Sequence, residues 1–515
     1  MKIAGISNGG HDGAYAILED GIPIVHNEDE RFSRIKESLG DPFKLLLDHY
    51  DECESLDYIT TFISNWHGGP EHRWKESYNK IRKLPAKYVQ VGHHLCHASN
   101  AYYSSNFDDA MIITMDGGGE DDDGEGSYTT TFTIYQGTGN KIEKIMHVPY
   151  NKLNMGVFWD KCVVEIFGLS SGNPGGNQAG TIMGMAALGT PRYITEFQSG
   201  VNRGLMKKMI ADKGEQAMFD VAASLQQYTE ETIKHIIDPY INKYNPSNIC
   251  ISGGVSLNCV MAGKFIEWYP NINFYADPVP YDAGLALGGP RYIWHHVLDN
   301  PKIPWVDNST PYLGKTYSQE HIINTITKMG LSYTTVSDDD VITLLAENEN
   351  VISVFGGGAE SGRRALGNRS IIADPRNIKM KDVINEKVKH RQWYRPFAPS
   401  ILREEVCNWF EFDIDSPYMS FAIPFKNDMK DKVPAVVHFN GTARLQTVTE
   451  NDNNWYYNFI KKFQNKTGVP ILLNTSFNDR EPIVETPEHS INCFLGTSID
   501  YLYFYDYNIL IKGNH

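Results

Sequence analysis

The start of the chain alternates short apolar runs with glycine-rich and acidic turns, a pattern typical of β-strands. Lys2–Ser7 predicts a first strand, Gly9–Gly13 a polar turn, and Ala14–Leu18 a second strand. A turn at Glu19–Gly21 leads into a third strand at Ile22–Val25. The order of strand, glycine-rich turn and strand also occurs in phosphate-binding loops, although glycine turns are common in ordinary hairpins.

Further apolar runs end in acidic or glycine-rich turns. Ala110–Met115 stops at Asp116–Gly119, Asn248–Ser252 stops at Gly253 and Gly254, and Val351–Phe355 stops at a run of three glycines. Open α/β sheets bind their ligands at the carboxyl ends of strands, so these turns are candidate binding positions.

Helical spacing is clearest in two segments. Phe219–Tyr244 has helical periodicity, no glycine and one proline, and it predicts a long connecting helix. Ser337 precedes a second helix as its N-cap, and the apolar face of that helix includes Val341, Leu344 and Leu345. No internal repeat or low-complexity tract is visible in the sequence.

The length of 515 residues is too great for one ordinary core, so we expect more than one domain. Asn300–Gly314 carries three prolines and many turn-forming residues, which predicts the start of a linker. We therefore place one domain at 1–310, a linker at 311–336 and a second domain at 337–515.

Composition narrows the function classes. The chain has 47 Lys and Arg against 63 Asp and Glu, a net charge of −16, which argues against coating nucleic acid or an anionic membrane as its main role. The seven cysteines include no CxxC pair, which favours a reducing compartment. The N-terminus has no signal-peptide pattern, and no apolar run reaches the ~18 residues of a membrane helix. We expect a soluble cytoplasmic protein without a membrane partner.

Candidate metal ligands stand in GHHLCHASNAYY, where His93 and His97 are four residues apart and share one face of a predicted helix. Asp116 and Asp282 would add carboxylates, and two imidazoles with two carboxylates suit iron, manganese, magnesium or zinc. Surface or capping histidines, and aspartates in ordinary turns, remain the alternative.

The segment Arg363–Arg395 is strongly basic within this acidic chain. It holds ten cations against three acidic residues, a net charge of +7, and its cations alternate with apolar residues. Partly buried arginine needs an anionic partner, so we favour a pocket for phosphate or carboxylate over a solvated face. The glycine turns Gly253–Asn258 and Gly284–Gly289 could bring backbone N–H groups to phosphate, or could be plain turns.

Together these segments resemble the carbamoyltransferase family of the nodulation and antibiotic O-carbamoyltransferases. The matching motifs run in the family's order over nearly the whole chain: GHDGAYA, NEDERFSRIKE, GHHLCHASNAYY, MDGGGE, GGVSLNC, DAGLALGG, ESGRRALGNRSIIADPRN, KVKHRQWYRPFAPSI and NTSFNDREPIVETPE. ESGRRALGNRSI followed by RPFAPSI is the most specific of them.

The resemblance implies an α/β fold with an actin-like N-terminal domain, built on a duplicated ribonuclease-H-like unit, and a YrdC-like α/β C-terminal domain. It also implies an enzyme. Carbamoyl phosphate and ATP would give carbamoyl-adenylate in the second domain, and an acceptor hydroxyl would take the carbamoyl group in the first. The implied cofactors are ATP with Mg²⁺ and a divalent metal, most readily Fe²⁺.

Carried over residue by residue, the resemblance assigns three sets of site residues. His11 matches the histidine of the first loop and would accept the acceptor's proton or hydrogen-bond the carbamoyl group. His93, His97, Asp116 and Asp282 match the metal ligands. The binding residues for nucleotide and donor are Gly253, Gly254, Asn258, Arg364, Lys389, Arg395, Arg444 and Arg480.

Two positions depart from the family's pattern. Thr181 stands where a lysine is usual, so one nucleotide or acceptor contact is expected to differ. Arg363 stands where a proline is usual, which adds a cation beside the donor site.

The acceptor stays open at this point. A small hydroxylated metabolite, such as a sugar, an antibiotic or a nodulation factor, is the first candidate. The second is a hydroxymethylated pyrimidine in DNA or in a nucleotide, because residues 66–88 interleave aromatic and basic side chains. An amphipathic helix beside the active site explains the same segment. A non-catalytic module that binds ATP and metal is the third reading.

Overall fold

The computed structural model describes residues 1–38, 40–64, 69–122, 126–169, 178–303, 311–347 and 350–513. The chain divides into two units, Met1–Ser309 and Thr310–His515. Both combine helices with β-sheets, as the sequence predicts. Among the described residues, no helix has the length and apolar character needed to cross a membrane.

The first sheet of the N-terminal unit contains five strands in the order β3-β2-β1-β4-β5. Three of them form an antiparallel meander, and β4 and β5 then add in parallel on the other side of β1. The strands are β1 (Lys2–Ser7), β2 (Ala14–Glu19), β3 (Ile22–Glu28), β4 (Tyr58–Phe62) and β5 (Lys87–Val91).

The second sheet repeats this topology strand for strand, in the order β8-β7-β6-β9-β10. The strands are β6 (Asp109–Asp122), β7 (Ser127–Thr138), β8 (Lys141–Pro149), β9 (Asn248–Ser252) and β10 (Asn273–Ala276). Again three strands form an antiparallel meander and two add in parallel. This duplicated ribonuclease-H-like unit is the actin-like fold, which confirms the predicted fold. The sequence shows no repeat because strand pairing depends on the burial pattern and not on residue identity.

Twelve α-helices accompany these sheets in the described part of the unit. They are α1 (Asp29–Ser33), α2 (Pro42–His49), α3 (Pro70–Arg73), α4 (Lys75–Ile81), α5 (His93–Ser104), α6 (Met155–Glu165), α7 (Ala179–Ala186), α8 (Ile194–Gln198), α9 (Arg203–Lys213), α10 (Glu215–Tyr244), α11 (Cys259–Trp268) and α12 (Leu285–Arg291). The predicted long helix is α10, and it includes Pro239.

A close approach between backbone segments fixes α12 against the first sheet. A Cβ on Gly5, in the middle of β1, would lie 1.9 Å from the carbonyl oxygen of Ala286 and 2.7 Å from the Pro290 ring. Only glycine permits this contact. The turn that precedes α12 is thereby held near the carboxyl end of β1.

The C-terminal unit is built on one mixed nine-stranded sheet in the order β11-β19-β18-β12-β13-β17-β14-β16-β15. Its strands are β11 (Thr334–Thr335), β12 (Ile352–Phe355), β13 (Arg369–Ala373), β14 (Ala398–Leu402), β15 (Phe421–Pro424), β16 (Thr442–Val448), β17 (Ile471–Ser476), β18 (Tyr501–Phe504) and β19 (Ile509–Lys512). Its helices are α13 (Gln319–Lys328), α14 (Asp338–Glu347), α15 (Lys379–Val383), α16 (Val406–Trp409), α17 (Asn454–Thr467) and α18 (Pro487–Leu495). Its likeness to the YrdC fold stays a prediction.

The stretch 311–336, predicted as a linker, is instead part of the C-terminal unit. It contains α13, whose Ile322 and Ile326 are buried four residues apart on one helix face. The Gly314 N–H donates to the Ala359 carbonyl at 3.0 Å, and the Thr325 hydroxyl donates to Glu488 at 3.1 Å. The three prolines of Asn300–Gly314 suggested a linker, but only Pro311 lies within this stretch, as its first residue.

A buried carboxylate organises the loop between β12 and β13. Glu360 Oε1 accepts hydrogen bonds from the backbone N–H groups of Leu366 and Asn368, each at 2.8 Å, and of Arg369 at 3.1 Å. Glu360 is only 2% exposed. Three N–H groups of the ESGRRALGNR motif therefore depend on one side-chain oxygen.

We expect Glu360→Ala to lower the free energy of unfolding of the C-terminal unit by about 3 kcal/mol, because it leaves buried N–H groups without an acceptor. Glu360→Gln keeps an acceptor oxygen and should lose less. Glu411→Ala removes an exposed carboxylate and should change stability by less than about 0.5 kcal/mol. Urea unfolding followed by tryptophan fluorescence measures all three. Equal stability of Glu360→Ala and Glu411→Ala would show that the loop does not depend on Glu360.

Candidate active site

Four buried side chains of the N-terminal unit converge on one point. One nitrogen or oxygen atom from each of His93, His97, Asp116 and Asp282 lies within 4.8 Å of the others. The two histidines belong to the first turns of α5, Asp116 belongs to β6, and Asp282 begins a three-residue 3₁₀ turn. The structure thus brings together all four residues predicted as metal ligands.

Their spacing suits a cation at the centre. Nε2 of His93 lies 3.2 Å from Nε2 of His97 and 2.9 Å from Asp116 Oδ2. The remaining separations from the histidine nitrogens to Asp116 and Asp282 are 3.7 and 3.8 Å. With bonds of about 2.1 Å, neighbouring ligands stand about 3.0 Å apart in an octahedron and about 3.4 Å apart in a tetrahedron. The observed separations between ligand atoms, from 2.9 to 3.8 Å, span both values.

The two buried carboxylates give the cluster a negative electrostatic potential. Burial would raise the pKa of Asp116, but hydrogen bonds from His93 and His97 hold it well below its usual range. Burial and the Asp116 charge raise the pKa of Asp282. Burial would lower the pKa of His93, yet the charge of Asp282 and the hydrogen bond to Asp116 raise it to about 8. The carboxylates therefore attract positive charge, which a divalent cation would supply.

Local contacts fix three of the four groups. The backbone N–H of His94 donates to Asp121 Oδ1 at 3.0 Å, which ties the start of α5 to β6. The Gly254 N–H donates to Asp116 Oδ1 at 2.9 Å. The His93 ring packs edge-on against Phe62, with centroids 5.2 Å apart. The sequence did not point to Asp121, because nothing local marks a carboxylate whose partner is 27 residues away.

His11 lies in the loop between β1 and β2, beside this cluster. Its Nδ1 is 2.7 Å from Asp12 Oδ2, and a third of its side chain is exposed. Burial would lower the pKa of His11, but the hydrogen bond to Asp12, with the charges of Asp12, Asp282 and Asp116, raises it to about 10. The two carboxylates of the cluster act on His11, so the predicted catalytic residue and the predicted metal ligands share one site.

The glycine turn predicted to contact nucleotide adjoins the same cluster. Gly253 has a φ of +88°, and a Cβ there would lie 2.2 Å from the Met115 carbonyl oxygen, so the position requires glycine. Asn258 caps α11, with Oδ1 accepting from the Met261 N–H at 3.1 Å. Its Nδ2 donates to Gln226 Oε1 at 2.9 Å. Gly253 and Gly254 lie against the cluster, while the Asn258 amide serves the fold; nucleotide contact by all three stays a prediction.

In the C-terminal unit two of the predicted donor-site cations, Arg395 and Arg444, form a cluster with Arg391. Burial and the Arg444 charge lower the pKa of Arg395, and burial with both of those charges holds the pKa of Arg391 well below its usual range. Among the described residues, the Arg395 guanidinium makes no hydrogen bond or ion pair. Mutually repelling, partly buried cations favour an anionic ligand. Arg391 was not singled out by the sequence.

The other predicted donor-site residues are placed differently. Lys389 is 3% exposed, and its ammonium donates to the Asn478 carbonyl at 2.6 Å and to Asn478 Oδ1 at 2.7 Å. Arg480 is exposed, and its guanidinium donates to the His390 carbonyl at 3.5 Å. Arg364 is half-buried. Lys389 therefore holds a loop, whereas Arg480 and Arg364 keep more of their surface accessible.

Two cations counted in the basic segment are structural, which corrects the interpretation of the whole segment as a ligand pocket. Arg369 is fully buried; it donates to the Gly356 carbonyl at 2.6 Å and stacks over Phe355 at 3.6 Å. Arg376 pairs with Asp374 at 2.6 Å. Alternation with apolar residues indicated burial, but it did not distinguish an anion site from carbonyl acceptors.

Comparison with known proteins assigns the chain. Residues 201–290 match the family model "Carbamoyltransferase N-terminus", and residues 343–510 match "Carbamoyltransferase C-terminus". The chain belongs to the carbamoyltransferase family. Nodulation protein NolNO of Sinorhizobium fredii is 30% identical over 95% of this chain and 77% of its own length. Nodulation protein NolO of Bradyrhizobium diazoefficiens is 31% identical over 80% of this chain and 77% of its own length.

This carbamoyltransferase is accordingly an enzyme, and the reading as a non-catalytic module is set aside. Among solved structures, full-length HypF in its phosphate- and nucleotide-bound form is similar, with 14% identity and a TM-score of 0.34. That likeness covers 58% of this chain and 56% of the HypF chain.

Thr181, one of the two departures from the family pattern, is buried in α7. Its hydroxyl donates to Gln178 Oε1 at 2.8 Å, which gives it a structural partner.

The segment 66–88, considered as a strip for nucleic acid, uses its described aromatic side chains in packing. The Trp74 indole donates to the Gly40 carbonyl at 2.8 Å, and the Tyr78 ring packs edge-on against Phe43. The Tyr88 ring is covered by Arg82 at 4.1 Å. Trp66 lies outside the described residues. The described part of the segment forms two short helices, α3 and α4, and the start of β5, rather than one amphipathic helix. Its use as a surface for stacking bases stays a prediction.

Asn8, a buried polar residue of the first loop, was not singled out by the sequence. Asn8 is 3% exposed, and neither Oδ1 nor Nδ2 of its amide has a hydrogen-bond partner among the described residues. The next residue, Gly9, lies close to Asp282, since a Cβ on it would be 3.4 Å from Oδ2. A buried amide without partners requires a water or a ligand. Sequence alone did not separate it from an ordinary turn asparagine.

We expect the cation cluster of the C-terminal unit to bind pyrophosphate. Arg395→Ala should weaken this binding by about ten- to a hundredfold, the equivalent of about 1.5–3 kcal/mol for a charge-assisted bond to a partly buried anion. Lys379→Ala is the matched control, because Lys379 is exposed at the start of α15 and should matter little. Calorimetric titration measures both. Equal weakening in the two variants, or unfolding of Arg395→Ala, would make Arg395 a structural residue.

Proposed function

We propose that this carbamoyltransferase moves a carbamoyl group from carbamoyl phosphate to an acceptor hydroxyl through carbamoyl-adenylate. In the first step carbamoyl phosphate, ATP and one water give carbamoyl-adenylate, phosphate and pyrophosphate. In the second the acceptor oxygen bonds to the carbamoyl carbon, the bond to the phosphate oxygen breaks, and AMP leaves. The observation that carries the proposal is the presence, in a member of this family, of one buried anionic cluster and one cluster of repelling cations, each in its own unit.

The first step is assigned to the C-terminal unit. Its substrates are polyanions, and Arg391, Arg395 and Arg444 offer positive charge that the fold itself leaves repelling. Binding of phosphate oxygens there relieves the repulsion while it orients the donor. Lys389 shapes the adjacent loop through its bonds to Asn478. Arg364 and Arg480 are further candidates for contact with ATP and its Mg²⁺.

The second step is assigned to the N-terminal unit. His93, His97, Asp116 and Asp282 would hold a divalent cation, with Fe²⁺ the first candidate because imidazole and carboxylate together suit it. Such a cation polarises a mixed anhydride and neutralises charge on its phosphate. Gly253 and Gly254 would present backbone N–H groups to the nucleotide at the edge of the same cluster.

Two groups of the first loop would face the carbamoyl group. Asp12 first, and the charges of Asp282 and Asp116 after it, raise the pKa of His11, so the imidazole donates a hydrogen bond. With a cation held by the cluster the charges of Asp116 and Asp282 would be opposed, and the pKa of His11 would fall towards the range in which the imidazole could take the acceptor's proton. The Asn8 amide offers one donor and one acceptor, which match the C=O and NH₂ of a carbamoyl group.

A small hydroxylated metabolite is the favoured acceptor. Trp74, Tyr78 and Tyr88, the described aromatic side chains of residues 66–88, are engaged within the unit, and the chain carries a net charge of −16. A hydroxymethylated pyrimidine is the second candidate, and as a free nucleotide it would need no nucleic-acid surface. Incubation with ATP, carbamoyl phosphate and each acceptor class, followed by mass spectrometry for a carbamoyl adduct, separates the two.

The first prediction concerns the donor step. ATP should be converted to AMP and pyrophosphate only when carbamoyl phosphate is present. The reason is that water releases carbamate from carbamoyl phosphate, and a carbamate oxygen then attacks the α-phosphate of ATP. Nucleotide products are separated by ion-exchange chromatography with and without carbamoyl phosphate. Conversion of ATP to ADP at the same rate in both mixtures contradicts the two-step scheme.

The second prediction separates the two units. The double variant His93→Ala, His97→Ala should lose carbamoyl transfer and still form carbamoyl-adenylate and pyrophosphate, since the cation cluster of the C-terminal unit is untouched. Formation of pyrophosphate and of carbamoylated acceptor are measured side by side. His72→Ala is the control, because His72 belongs to α3 and is exposed. Full transfer by the double variant in the presence of a chelator would exclude a metal role for the pair.

A further inference from the structure

Asp282 is attached to the weakest element of the four-residue cluster. His93 and His97 belong to a helix of twelve residues and Asp116 to a strand of fourteen, whereas Asp282 begins a 3₁₀ turn of three residues, Asp282–Gly284. A ligand must be held within a few tenths of an ångström for tight metal binding. A three-residue turn does not supply that precision alone, so other contacts must hold the carboxylate.

Those contacts come from β3. The Tyr281 hydroxyl donates to Glu28 Oε2 at 2.5 Å, and His26 Nε2 donates to the Ala283 carbonyl at 3.1 Å. His26 and Glu28 are two residues apart, so their side chains leave the same face of the strand. Tyr281 and Ala283 are the residues immediately before and after Asp282. One strand face therefore holds both chain neighbours of Asp282.

The hydrogen bond between Tyr281 and Glu28 is short and buried, which are the features of a strong hydrogen bond. Both residues are buried, at 3% and 4% exposed, and Arg31 lies 3.9 Å from the other oxygen of Glu28. A phenol that donates to a carboxylate forms a short hydrogen bond. Burial keeps His26 neutral by lowering its pKa, which fits one N–H aimed at a carbonyl.

We propose that His26 and Glu28 are positioning residues that set the Asp282 carboxylate for a divalent cation by holding Ala283 and Tyr281 on either side of it. The inference rests on the proposed function only in requiring a cation at the cluster. None of these side chains need touch the cation or a substrate. Their effect is on the place of one oxygen ligand, in the manner of groups that orient metal ligands in other proteins.

The test is the affinity of the full chain for Mn²⁺, measured by calorimetric titration without substrates. Tyr281→Phe, which removes the donor, and Glu28→Leu, which removes the acceptor, should each weaken binding by about 10- to 100-fold. The double variant should be no weaker than the weaker single variant, because both changes remove the same hydrogen bond. Tyr103→Phe is the matched control: it removes a buried hydroxyl that donates to the Asn140 carbonyl at 2.8 Å, at the far end of α5.

A second pair of variants tests the other neighbour of Asp282 and guards against misfolding. His26→Gln keeps an N–H at a similar distance from the backbone and should retain near wild-type affinity, while His26→Leu should bind about 10-fold more weakly or worse. Thermal unfolding of each metal-free variant reports stability separately. Variants that lose stability but bind Mn²⁺ like the wild type would show that β3 serves the fold alone.

Two further results overturn the inference. Weakening by Tyr103→Phe equal to that by Tyr281→Phe would mean that any lost hydroxyl affects the site. A wild-type chain that binds neither Mn²⁺ nor Fe²⁺ would remove the cation site and the positioning role with it, and the carbamoyl-transfer scheme would then need another activating group. Normal wild-type binding with unchanged variants removes the positioning role only and leaves the proposed function intact.

Discussion

The N-terminal site depends on the burial of two carboxylates against the same two imidazoles. Asp116 and Asp282 are each less than a tenth exposed, and both approach His93 and His97 within 3.8 Å. Like charges in a buried setting repel, so the surrounding fold has to hold them together. The tie from Asp121 to α5, the Gly254 N–H on Asp116 and the β3 contacts around Asp282 all serve that constraint. A divalent cation would relieve that repulsion.

The C-terminal unit presents the same constraint with the sign reversed. Here the positive charges of Arg391, Arg395 and Arg444 repel one another. By contrast, Arg369 donates to a backbone carbonyl and Arg376 pairs with Asp374. Burial thus leaves a repulsion among the charges of Arg391, Arg395 and Arg444 that an anion would relieve. A site suited to a cation in one unit and a site suited to anions in the other are the features on which the proposed two-step transfer rests.

The sequence predicted what depends on local pattern. Strands at Lys2–Ser7 and Asn248–Ser252 have the predicted bounds, and the spacing of His93 and His97 placed both rings on one helix face. It failed where partners are distant. The linker prediction missed the buried Ile322 and Ile326 of α13, because proline-rich sequence before them dominated the interpretation. Nothing local joins Glu28 to Tyr281, 253 residues apart.

The first loop shows how tightly the reacting region is specified. Asp12 has a φ of +54°, a conformation that costs a non-glycine residue about 1 kcal/mol or more, and its carboxylate holds His11 Nδ1. Gly119 is equally constrained, because a Cβ there would lie 2.1 Å from the His93 ring. Strain at Asp12 persists because the sheet on both sides determines the loop. The groups that would meet the carbamoyl carbon are therefore placed by backbone geometry before any ligand arrives, which reduces the reorganisation that transfer requires.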